Sequence, residues 1–79
     1  MTPMPLDTFK AGESGRIARV EADEAIQRRL LDMGLVRGEA ITVKKLAPLG
    51  DPMELVVKGY HLSLRRAESA CILVERAQP

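Results

Sequence analysis

The chain has 79 residues, 46% of them apolar and 29% charged, with twelve Lys and Arg against eleven Asp and Glu for a formal net charge of +1. That length supports one domain with one core. So even a balance of charge gives no general attraction for a polyphosphate or an anionic lipid surface, which argues against a nucleic-acid binder.

The longest apolar run, Ala70-Cys71-Ile72-Leu73-Val74, is far below the roughly 20 residues that cross a bilayer. The first ten residues lack the basic start and apolar stretch of a secretory leader, so a cytoplasmic protein is expected. One cysteine, Cys71, and one histidine, His61, allow no internal disulfide and cannot supply the usual four N/S ligands of structural zinc.

Taken in order, residues 1–5 read as a loose tail, because Pro3 and Pro5 deny the backbone hydrogen bonds of helix or ladder. After the Gly12-Glu13-Ser14-Gly15 turn signal, 16–21 alternates and is β-branched enough for a first strand. A helix follows over 24–33, with Asp23 placed to cap it, Glu24 favourable at its positive end and Gly34 suited to a left-handed C-terminal cap. At about 100° per residue, Ile26, Leu30 and Met33 form one buried stripe, whereas Leu31 falls beside Glu24, Gln27 and Arg28. Leu31 therefore either covers a second barrel edge together with Leu35 or stays partly exposed.

Strands are expected at 39–46 and 53–58, joined by the Pro48-Leu49-Gly50-Asp51-Pro52 loop, then at 60–64 after Gly59. A link of about one helical turn over 66–70 leads to a last strand over 71–75, with 76–79 as tail. Five short antiparallel strands and one helix suit a small closed barrel, which hides the edges of so small a sheet. A single domain over 6–75 is expected, mainly β, with one inserted α-helix. Its core should be Ile17, Ile26, Leu30, Met33, Ile41, Val43, Leu55, Val57, Leu64, Ile72 and Val74.

Four segments resemble the FeoA family of bacterial ferrous iron uptake: Arg29-Leu30-Leu31-Asp32-Met33-Gly34-Leu35 followed by Gly38, Ala47-Pro48-Leu49-Gly50-Asp51-Pro52, Gly59-Tyr60 with Leu64-Arg65, and Ala70-x-Ile72-x-Val74. The resemblance runs over residues 6–74. It implies an SH3-like barrel that acts as an accessory to FeoB, the membrane ferrous iron transporter with a cytoplasmic GTP-binding domain, reaching the membrane only through that partner. An alternative is a metal-responsive regulatory module related to the C-terminal domain of DtxR-type repressors. A start at Met1 without a helix-turn-helix segment fits the stand-alone accessory better.

Turn chemistry explains the residue types of the 48–52 loop, since Pro fixes φ, Gly permits positive φ and Asp accepts from nearby amides. A rigid exposed tip would also present Leu49 and Met53 to a partner at little entropic cost. Leu31, Met33, Leu35, Leu49, Asp51 and Met53 are thus the candidate partner-binding residues. The basic pairs Arg28-Arg29, Lys44-Lys45 and Arg65-Arg66 read as solvated faces, with Arg65 able to fork onto a carboxylate and lock the last link.

No paired His and nucleophile, Gly-rich phosphate loop or carboxylate dyad points to catalysis, so no enzyme and no cofactor is expected. Only Phe9 and Tyr60 could stack on bases, which disfavours RNA. Ligand counting leaves no metal site within one chain. His61, Glu54 and Glu68 are weak candidates for a metal shared between chains in a bridged homodimer.

Overall fold

The computed structural model describes residues 2–77. Six strands, β1 (Met4–Pro5), β2 (Ser14–Val20), β3 (Ala40–Leu46), β4 (Met53–Val57), β5 (Tyr60–Leu64) and β6 (Ile72–Arg76), accompany two helices, α1 (Glu24–Asp32) and α2 (Arg66–Ser69). All pair antiparallel in one sheet of order β1-β6-β2-β3-β4-β5.

The expected closed barrel of about five strands is corrected on both counts. A sixth strand exists, and the two outer strands, β1 and β5, do not pair with each other, so the sheet is open. β1 has only two residues and one of them, Pro5, has no N–H to donate, which confines it to a sheet edge with a single neighbour. α2, which follows β5, packs against the tight turn at Leu6–Thr8 that follows β1. Helix and turn cover the open side without a ladder.

The expectation of a loose 1–5 tail fails for Met4 and Pro5, which pair with Val74 and Leu73; Met1 lies outside the described residues. The last strand extends through Arg76, and the Ala77 amide donates to the Ser14 carbonyl at 2.8 Å. Gln78 and Pro79 of the expected tail also lie outside the described residues.

Two bulges set which side chains face inward. Ala18 is the extra residue between the Ile17–Val74 and Arg19–Leu73 pairs, and Lys44 that between Val43–Leu55 and Lys45–Glu54. Each extra residue resets the twofold alternation, so Ile17 and Val20 share the core side although they are three apart. β4 alternates without interruption, burying Met53, Leu55 and Val57.

The core joins Leu6, Phe9, Ile17, Leu30, Leu35, Ile41, Val43, Met53, Leu55, Val57, Leu64, Ile72 and Val74. Ile26 and Met33 pack against it half-buried, because a helix lying on an open sheet buries one row of side chains fully and the flanking rows only in part. Gly15 is fixed by close approach: a Cβ there would collide with the Glu75 carbonyl oxygen and lie 2.7 Å from Val74 Cγ1. The paired strands β2 and β6 lie too close at that point for any side chain.

Candidate functional surface

α1 begins where the Asp23 carboxylate accepts from the Ile26 amide at 3.0 Å. Its C-terminus closes with Gly34 at φ +88°, a conformation that favours glycine. The Gly34 amide donates to the Leu31 carbonyl at 2.9 Å and the Leu35 amide to the Leu30 carbonyl at 3.1 Å. This double closure brings the residue after the glycine onto the last inward residue of the helix, and Leu35 and Leu30 are both fully buried. Leu35, expected as an edge cover and contact residue, is therefore core.

Leu31, about 100° round the helix from Leu30, is 58% exposed. It forms one wall of an open groove of about 420 Å³ whose apolar lining includes Ala18, Val20, Leu35 and Val36. The walls are fixed by polar clasps. Gln27 Nε2 donates to the Val20 carbonyl at 3.1 Å, pinning α1 to the end of β2. The opposite wall is tied to β2 by the Gly38 amide on the Ile17 carbonyl (2.7 Å) and the Ile17 amide on the Glu39 carbonyl (2.9 Å). Arg19, Arg28 and Arg37 stand around the groove with Glu24.

The second exposed apolar residue of interest is Leu49, at 96%. Its loop is closed at the base by the Ala47 amide on the Pro52 carbonyl, 3.1 Å, and tightened by the Gly50 amide on the Ala47 carbonyl, 2.7 Å. Asp51 Oδ1 accepts from the Arg66 amide at 3.1 Å and so ties the loop to the start of α2. Asp51 thus positions the loop, while Leu49 projects from it. Met53, expected beside Leu49 on the tip, is 1% exposed and belongs to the core, because it opens β4 opposite Leu64 on the inward side.

Met33 is half-buried at the α1 terminus. Of the contact residues named from the sequence, the apolar ones that lie exposed are Leu31 and Leu49. Sequence reasoning missed Val20, Val36 and Arg37 of the groove, whose signal was proximity to the Leu31 face and not any motif.

The three metal candidates are not brought together. His61 is exposed on β5, Glu54 lies 3.7 Å from Lys45 Nζ and Glu68 3.1 Å from Arg29 Nη1. No group of three or more His, Cys, Asp or Glu suited to a metal occurs among the described residues. Arg65 makes no carboxylate fork there. Its backbone amide donates to Glu68 Oε1 at 3.0 Å, and the guanidinium that reaches Glu68 comes from Arg29. The Cys71 thiol donates to the Ala67 carbonyl at 3.5 Å. No helix among the described residues is long and apolar enough to cross a membrane.

Comparison with known proteins connects this surface to a family. A curated relative from Porphyromonas gingivalis, the Fe(2+) transport protein A/Fe(2+) transporter FeoB fusion protein, is 42% identical over 72 residues covering 91% of this chain. The chain spans 8% of that protein's length. The solution structure of a FeoA-like protein from Clostridium acetobutylicum superposes with a TM-score of 0.93 at 33% identity, covering all of this chain and 92% of that one. FeoA protein from Chlorobium tepidum gives 0.87 at 43% identity, covering 95% and 71%. Residues 4–76 match the family model of the FeoA domain, and the chain belongs to that family.

Proposed function

We propose that this chain is a non-enzymatic cytoplasmic accessory of ferrous iron uptake, which binds a FeoB-type membrane transporter and adjusts its assembly, transport or nucleotide cycle. The observation that carries this reading is the fusion relative, in which a transport protein A matching 91% of this chain shares one polypeptide with an iron transporter. Covalent joining holds two modules at an effective concentration of about millimolar, so even a weak contact between them is occupied. Leu31 on α1 and Leu49 on the 47–52 loop are the exposed apolar residues suited to it, and Asp51 contributes by holding the loop.

The dock is the cytoplasmic part of the transporter, which carries its GTP-binding domain. The test is recovery of the full-length transporter from detergent-solubilised membranes by the tagged chain, with and without a non-hydrolysable GTP analogue. Transporter in the eluate supports the reading. Its absence under both nucleotide conditions overturns it, and nucleic acid in its place would assign the chain to another class of partner.

A further inference from the structure

Arginine is the dominant charge around the Leu31 groove. Arg19, Arg28 and Arg37 line it with the single carboxylate of Glu24, and an adjoining depression places Arg16 and Glu75 beside Arg19 and Arg37. Four guanidinium groups thus meet three carboxylates, Glu24, Glu75 and the Glu21 that flanks Arg19. The neutralisation is uneven and leaves Arg28 and Arg37 without a close carboxylate. Arg37 pairs with no carboxylate among the described residues, and Arg28 reaches Glu24 only at 3.8 Å, with both side chains largely in water. Arg16 spends one N–H on the Gly38 carbonyl at 3.0 Å. Arg19 alone has a close partner, Glu21 at 2.7 Å.

The shape adds a second constraint. Half-buried Ala18, Val20 and Val36 line the groove with Leu31 as its exposed wall, and the charged residues of the lining are exposed. A concave apolar floor takes an inserted side chain, whereas attachment to a lipid surface needs apolar groups that project outward. Its walls are rigid, because Gln27 and the backbone bonds of 17, 38 and 39 hold both sides to β2. A partner therefore loses its own freedom on docking but demands little reorganisation of the groove.

We infer that this groove receives an acidic amphipathic segment of the transporter, which inserts an aliphatic side chain against Leu31 and sets carboxylates on Arg28 and Arg37. The identity of the occupant rests on the function proposed above; the chemistry of recognition rests on the groove alone. Aliphatic burial supplies the affinity, and the arginine rim sets orientation and the rate of encounter.

Two arms separate the inference from the partnership. In the first, wild-type protein and the variants Leu31→Gln and Arg37→Glu are compared in capture of the full-length transporter, with Lys44→Glu as a charge control on the opposite part of the sheet. The groove variants should each lose about tenfold or more in affinity while Lys44→Glu stays near wild type, and wild-type capture should weaken as salt rises. Transporter captured equally by all four overturns the groove and leaves the partnership standing.

In the second arm, amide resonances of the wild-type protein are followed during addition of a synthetic peptide with two central leucines flanked by glutamates. The same peptide with lysines in place of glutamates serves as comparison. Shifts confined to Ala18, Val20, Leu31, Val36 and Arg37 with the acidic peptide alone support the inference even if the transporter is not captured, in which case the partnership fails by itself. No shift, equal shifts with both peptides, a dimer that Leu31→Gln dissolves, or stronger binding to phosphatidylserine vesicles than to the acidic peptide each overturns it.

Discussion

Glu68 of α2 and Arg29 of α1 join the two helices through one carboxylate: Oε2 lies 3.1 Å from Arg29 Nη1 while Oε1 accepts from the Arg65 amide at 3.0 Å. The Glu68 side chain is 12% exposed and that of Arg29 67%, so the ion pair is partly screened and the amide bond is the better protected half. Glu68→Ala removes both and should destabilise by about 1 to 3 kcal/mol. Glu68→Gln keeps an acceptor for the amide and should cost roughly 1 kcal/mol or less. Urea melts of the two variants check this, and equal losses would assign the whole effect to charge.

Gly15 gives a test of the close β2–β6 pairing. Since an added Cβ overlaps the Glu75 carbonyl oxygen, the strands must separate to admit it, and Gly15→Ala should cost about 2 to 3 kcal/mol. Gly12→Ala meets no atom within 4 Å and carries only the backbone cost of φ +92°, roughly 1 kcal/mol. A melt in which Gly15→Ala is the milder change would show that the two strands leave room there for a side chain.

Local chemistry explains what was legible in the sequence. The caps at Asp23 and Gly34 bounded α1 to within one residue, and the twofold patterns gave β3 and β4 with ends shifted by no more than one. The failures share a cause, which is that pairing across the chain is invisible to local pattern. Pro3 and Pro5 argued for a tail, yet a proline is acceptable on a strand with one neighbour, and Met4–Pro5 found one in β6. Edge avoidance argued for a barrel, yet α2 and the Leu6–Thr8 turn cover the open side. On the candidate surface, Leu31 was separable from the core by its helical angle, and Leu49 by its place between Pro48 and Gly50. Leu35 was misplaced although its signal was present: a glycine after a helix sends the next apolar residue back onto the last turn.

That reassignment is itself testable. Leu35 and Met53 are 0% and 1% exposed, so Leu35→Ala and Met53→Ala should each lose about 2 to 5 kcal/mol, as should Leu30→Ala. Leu31→Gln, one residue from Leu30 but 58% exposed, should change stability by about 0.5 kcal/mol or less. Denaturation of the four variants decides it. A loss at Leu31 comparable to that at Leu35 would return Leu31 to the core and remove it from the docking surface.

Leu49 combines two costs that stability alone does not explain. Its side chain is 96% exposed, and its backbone sits at φ 71°, ψ 7°, where a side chain with a Cβ is disfavoured by about 1 kcal/mol or more. Asparagine accepts that conformation more readily through local hydrogen bonding. Leu49→Asn should therefore leave the protein as stable as before or raise its stability by up to about 1 kcal/mol, while weakening capture of the transporter. Opposite movement of the melting midpoint and of transporter affinity in one variant is the expected signature of a residue retained for contact. A Leu49→Asn protein that melts markedly earlier would show that the side chain packs within its own chain, and one that binds as well as wild type would remove Leu49 from the contact surface.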